Sequence, residues 1–209
     1  MTESERRTTT ANNPYVISNP SLAFVNLAGN EGKDLMEKDR AALEDIFRDN
    51  IQIADRTLPR CNVLFLYCAL EVSGRIAGAS FNYRDLIKGA GAHIAVLASG
   101  IPSVLLSNPE FIKSLPSGPD WPANIVITLN RNGEHFGRFF HQLFALMQQG
   151  TSMLMAWVQL ASGAPLITDT DAYDIISTGT AGGAGFEFAL DGGSALDRER
   201  YGWGEWDLE

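Results

Sequence analysis

The residues of this chain best suited to chemistry are few, and Cys68 raises the question most directly. It ends the apolar run NVLFLYC (Asn62–Cys68) and is followed at once by Ala69, Leu70 and Glu71. A cysteine becomes a working nucleophile when a nearby base or a helix N-terminus lowers its pKa. Cysteine is also among the most often buried residues, and a cysteine bordering a buried strand is usually packing. Three histidines are available as a base. His93 opens the run HIAVLAS and falls at the amino end of a strand, away from Cys68. His141 lies out of phase with the apolar stripe of its helix and reads as solvated. His135 begins the helix after the run NIVITLN, on the edge where Cys68 is expected, and its place alone allows a Cys–His pair. The plainer reading of His135 is a helix-start residue near solvent.

The elements that must position these groups follow from hydrophobic pattern. SLAFVNLAG (Ser21–Gly29), NVLFLYC, HIAVLAS and NIVITLN are continuous apolar runs, the mark of strands buried on both faces. Between them lie helical patterns. Leu35, Leu43, Ile46 and Phe47 recur among charges from Asp34 to Asp49, and FNYRDLIKGAGA closes in glycine. Phe136, Phe139, Phe140, Leu143, Phe144 and Met147 share one face of a helix that ends at Gly150, and SMLMAWVQLA forms a last helix. Strands alternating with helices predict an α/β three-layer sandwich with a mostly parallel sheet. The division expected is a flexible lead over residues 1–20, an α/β domain over 21–163, and a Gly-rich, then acidic, extended tail over 164–209. A short strand is expected at GFEFAL within that tail, and Tyr201, Trp203 and Trp206 sit among its charges.

In an open parallel sheet, ligands gather outside the carboxyl ends of the strands. The residues expected there are Asn30 and Glu31, Cys68 and Glu71, Ser99, and Asn130, Arg131, Glu134 and His135. Cys61 and Cys68 on one strand stand about 20 Å apart, too far to form a disulfide, which fits a reducing compartment. Neither they nor the scattered histidines make a zinc site. ASGIPS around Ser99 lacks the pattern of a serine nucleophile elbow. AGNEGKD places Gly29, Gly32 and Lys33 between a strand and a helix, faintly in the manner of an anion site, without P-loop spacing. A net charge of −9 with 16 scattered Lys and Arg excludes a nucleic-acid footprint. No apolar run approaches the length that spans a bilayer, and the opening residues carry no apolar signal, so a cytoplasmic protein is expected.

The order of these pieces resembles the caspase-like CHAT domain family, clan-CD cysteine peptidases on a caspase–haemoglobinase α/β fold. The resemblance covers roughly residues 21–162. It is carried by the strand ending in Cys68, the loop from Gly74 to Gly78, the helix leading to Gly91–Ala92 with its following strand, and the helices within Phe136–Trp157. It implies Cys68 at the nucleophile position, a histidine at the end of the preceding strand, and a glycine after it that helps form an oxyanion hole. Here Asn30, 38 residues before Cys68, stands where the histidine is expected, and Glu31 stands in place of the glycine. An amide cannot take a proton from a thiol near neutral pH, so the ordinary dyad is broken.

The expectation is therefore a caspase-like cysteine endopeptidase fold whose activity is silenced, with Cys68 and Asn30 in the dyad positions and His135 as the alternative base. Glu71 or Glu134 would contact a basic side chain of a protein or peptide substrate. No cofactor and no metal is implied. The rival reading is a non-catalytic module for small-molecule binding or protein interaction, in which the tail from Asp197 to Glu209 could dock on a basic partner.

Overall fold

The computed structural model of the chain describes residues 15–17, 19–54, 57–101, 103–106, 108–115, 123–129, 135–163, 175–178 and 188–190. The strands are β1 (Tyr15–Ile17), β2 (Leu22–Asn26), β3 (Ile51–Ala54), β4 (Val63–Tyr67), β5 (Ile94–Ile101), β6 (Asn124–Leu129), β7 (Ile175–Thr178) and β8 (Phe188–Leu190). The helices are α1 (Gly29–Phe47), α2 (Tyr83–Ala90), α3 (Ser103–Leu106), α4 (Pro109–Ser114), α5 (His135–Gln148) and α6 (Met153–Gly163). Six strands form one sheet in the order β3-β2-β4-β5-β6-β7. The first five run parallel, and β7 closes one edge antiparallel to β6.

The four apolar runs read from sequence are β2, β4, β5 and β6, at the centre of this sheet. Each strand feeds alternate side chains to opposite faces. Phe24, Phe65, Tyr67 and Val96 join the core under α1 and α5, while Val25, Leu66, Cys68 and Leu97 join the core under α2. Every residue of β4 is buried. Helices cover both faces, which makes three layers.

Phe65 is the centre of the first core. Its ring lies 5.4 Å from Phe24, 5.2 Å from Phe140 and 6.2 Å from Phe136, the last two edge to face. Such pairs add to the stabilisation from burial alone. The phenylalanine stripe of α5 is thus the cover of this face, with Phe136, Phe140, Leu143, Phe144 and Met147 buried as their spacing predicts.

Polar contacts fix α1 against the sheet and against α5. Asp39 is 1% exposed, and the Tyr67 hydroxyl donates to its Oδ2 at 2.5 Å. A Cβ on Gly137 would stand 2.9 Å from Ala42 Cβ, so the two helices meet where α5 has no side chain. Asp45 Oδ2 lies 3.1 Å from His141 Nε2, with both side chains partly buried. Gln148 Nε2 donates to the Ile46 carbonyl. His141 therefore spans the seam between α1 and α5, where its phase had suggested a solvated residue.

β1, β3 and β7 are additions to the pattern expected from sequence, and β1 lies in the segment read as a flexible lead. β3 is a half-exposed edge strand, and β7 supplies the sixth strand of the sheet from the segment read as tail. β8 falls within GFEFAL, where a short strand was expected, and pairs parallel with β1. The lead over 1–14 and the acidic aromatic stretch over 191–209 lie outside the described residues. Among those described, no helix is long and apolar enough to cross a membrane.

Phe65→Ala is expected to cost about 3–5 kcal/mol in urea denaturation, since the cavity opens among rings held by both a strand and α5. Gly137→Ala adds only one methyl and is expected to cost about 1–3 kcal/mol, because the α1–α5 approach must widen.

Candidate functional site

The strand order makes one place on this sheet special. From β2 the chain passes through α1 to β3 on one side, and then returns to β4 on the other. Connections that leave in opposite directions open a crevice at the carboxyl ends of the two strands. Here those ends are Asn26 and Tyr67, which face each other in register. The Leu27 amide continues the zipper by donating to the Tyr67 carbonyl at 2.7 Å.

Asn26 builds the turn from β2 into α1. Its Oδ1 accepts from the Ala28 amide at 2.9 Å, and its Nδ2 donates to the Gly29 carbonyl at 2.8 Å. Gly29 has φ +68°, a conformation open to glycine at little cost. A Cβ on Gly32 would collide with Asn26 Oδ1, so the helix seats itself on this side chain. α1 consequently begins at Gly29, well before the Asp34 start expected from its apolar spacing.

That early start changes the meaning of Asn30 and Glu31. Both lie in the first turn of α1 and are exposed. The buried face of the helix is Gly32, Met36, Asp39 and Leu43, about half a turn away from Asn30. Glu31 in that first turn complements the helix dipole itself and makes the turn a poor place for an anion.

Cys68 follows β4 directly and is 2% exposed. Its side chain belongs to the core under α2, with Ile76 and Tyr83, whereas α1 covers the other face. Burial pushes its thiol from the ordinary 9.0 up to about 12. Cys61 is buried and pushed up to about 12 in the same way, with a backbone hydrogen bond to Ala23 opposing the shift. No hydrogen bond joins Cys68 to Asn30 among the described residues.

The loop after Cys68 is closely tied to itself. The Glu71 amide donates to the Arg75 carbonyl, the Gly74 amide to the Glu71 carbonyl, and the Ala77 amide to the Ala69 carbonyl, all at 2.9 Å. Gly74 has φ +78°, and a Cβ there would stand 3.0 Å from Ser114 Oγ. The loop then enters α2 through Asn82, whose side chain accepts from the Arg84 amide while Asp85 accepts from the Asn82 amide. This capping box fixes the path by which Glu71 reaches solvent. Glu71 is exposed on that turn, as a residue contacting a partner would be.

His135 is the first residue of α5; its side chain, and the whole of Glu134, Asn130 and Arg131, lie outside the described residues. His93 sits at the amino edge as expected. Its amide donates to the Asn62 carbonyl, and burial lowers its pKa from 6.5. No group of histidine, cysteine and acidic side chains among the described residues could hold a metal ion.

The structure thus places Cys68, Glu71 and the start of α1 at one edge of the sheet, but sets Cys68 and Asn30 in different surroundings. Sequence reading passed over Asn26 and Asp39. Asn26 had a readable signal, since asparagine ahead of small residues and glycine favours a side-chain-capped turn. Asp39 stood in phase with Met36 and Leu43, a place where an acid needs a buried partner. Comparison with family profiles, with curated proteins and with solved structures found no match in any of the three.

The two asparagines should separate in a stability measurement. Asn26→Ala is expected to cost about 1–2 kcal/mol through loss of the turn, whereas Asn30→Ala on the exposed turn should stay within about 0.5 kcal/mol of the parent.

Proposed function

We propose that this chain is a catalytically silent module on a CHAT-like, caspase-like α/β frame, which binds a protein or peptide partner at the carboxyl edge of its sheet and does not cleave it. The observation that carries this reading is the state of Cys68. A nucleophilic thiol must be reachable and must ionise near working pH. Cys68 is 2% exposed, and burial holds its thiol up to about 12. Asn30 can neither accept the thiol proton nor reach inward from the exposed first turn of α1.

Support for binding comes from the edge itself. The carboxyl ends of β2 and β4 lie where the strand order reverses, the place at which parallel sheets hold ligands. The loop beside it is rigid through its own backbone bonds and presents Glu71 to solvent, a counter-charge suited to a basic side chain on a peptide.

The test is alkylation of the intact chain by iodoacetamide between pH 5 and 9, with the modified cysteine located by mass spectrometry. Cys68 is expected to react at least about 100-fold more slowly than in the urea-unfolded chain, because a thiol raised by three pH units is almost wholly protonated throughout. Asn30→His should leave that rate unchanged. A Cys68 that alkylates quickly at neutral pH, in either form, would overturn the proposal in favour of a working or disabled peptidase dyad. The same shift has a sign for stability. A thiol whose folded pKa lies above 9.0 favours the folded state below that pH, so urea midpoints should hold to about pH 9 and fall from there toward pH 12.

A further inference from the structure

β3 ends the sheet, and among the described residues no strand pairs with its outer side. Such an edge presents a row of backbone N–H and C=O groups to which another strand can add, and folds usually guard it with a charge, a proline or a bulge. Ile51–Ala54 carries none of the three, and Ile53 is 47% exposed. Ile51 and Ile53 match Leu22 and Phe24 of β2, which belong to the core under α1 and α5. Both isoleucines therefore lie on the α1 face of the sheet.

α1 supplies the wall above this edge. Its contacts with α5 are made by Ala42, Asp45 and Ile46. Lys33, Glu37, Arg40 and Glu44 are exposed and form one stripe, about half a turn round the helix from those three. α5 lies over Phe65 of β4, nearer the middle of the sheet, so the stripe looks outward past β3. Within it, Lys33 Nζ stands 4.0 Å from Glu37 Oε1, an exposed pair that contributes little.

Read along α1, the stripe alternates in sign, and its spacing is the same from either end. Turned end for end beside a copy of itself, it sets Lys33 against Glu44 and Glu37 against Arg40, twice over. Every cross-pair is then of opposite sign, the device by which paired helices choose partner and orientation. A twofold axis at the level midway between Glu37 and Arg40 generates that arrangement.

The same axis suits the strand. Gly32 sits against Asn26, and α1 runs back from there antiparallel to β2. Ala23, matched with Gln52, lies about 10 Å back along β2 from Asn26. At about 1.5 Å per residue, that distance carries α1 from Gly32 to about residue 39, the middle of the stripe. The axis thus passes Gln52. With Gln52 facing its own copy, Ile51 of each chain faces Ile53 of the other, and the exposed isoleucine is covered.

We propose that this chain pairs with a second copy of itself through β3 and the charged stripe of α1, the two sheets joining antiparallel into one. A copy fits this surface better than an unrelated peptide because the stripe is complementary to itself. The pairing leaves the carboxyl edge uncovered and is independent of the function proposed for that edge. The test is sedimentation equilibrium of the intact chain from about 1 μM to about 500 μM, a span that covers weak and moderate association. The parent is expected to pass from monomer to dimer in that range. Arg40→Glu sets like charges face to face and should weaken the dimer at least about tenfold. The double variant Glu37→Arg with Arg40→Glu exchanges the signs and should return it to within about threefold of the parent. Ile53→Lys places a charge on the edge strand and should abolish the dimer. All the changed side chains are exposed, so each variant should fold, which circular dichroism checks. A parent chain that stays monomeric throughout overturns the inference. So does a dimer that Arg40→Glu or Ile53→Lys leaves intact, or that the double variant does not restore, since its contact then lies elsewhere.

Discussion

β4 is buried on both faces along its whole length, and the rest of the fold answers to that constraint. A strand with no polar face needs a complete cover above and below, and its backbone needs a neighbour on each side. β2 and β5 satisfy the backbone, while the aromatic stripe of α5 and the apolar face of α2 close the two cores. Alternation along β4 decides what each core receives. Phe65 and Tyr67 point toward α5, and Leu66 and Cys68 toward α2.

The same alternation accounts for the chemistry at the strand end. Cys68 continues the apolar sequence on the α2 face by one more step, so it inherits the burial of Leu66 and the raised pKa that burial brings. Tyr67, one residue earlier, points the other way and meets Asp39. The buried carboxyl group accepts from that hydroxyl at the level where α5 approaches α1 through Gly137. One strand end therefore contributes a neutral thiol to one core and a hydrogen bond that anchors α1 to the other. Removing either partner of a buried hydrogen bond leaves the other polar group unsatisfied, which costs more than the bond itself contributes.

Much of this was legible in residue order. The four central strands, the helix stripe over Phe136–Met147 and the glycine end of α2 follow from apolar continuity, 3.6-residue spacing and a left-handed cap at Gly91, φ +66°. β3 was not legible, because Ile51–Ala54 is four residues long, half exposed and separated from α1 by only the 3-10 turn Arg48–Asn50. β7 owes its place to antiparallel pairing with β6, a strand distant in the chain, a contact that local pattern does not encode. The start of α1 was misplaced because apolar spacing begins inside the helix, whereas its true origin depends on the Asn26 side chain and on the absence of one at Gly32.

Composition and hydrophobic period by themselves determined the class of the protein: a mostly parallel α/β sheet covered on both faces, with Cys68 at the border of a central strand. These are local properties, set by which residues prefer water and how often they recur. Only tertiary structure decided which groups share an environment. It turned Asn30 outward on an exposed helical turn, sealed Cys68 beneath α2, and drew His141 to Asp45. The reason is that burial and pairing depend on residues distant in the chain, and no spacing along the chain records which face of a sheet a distant helix will cover.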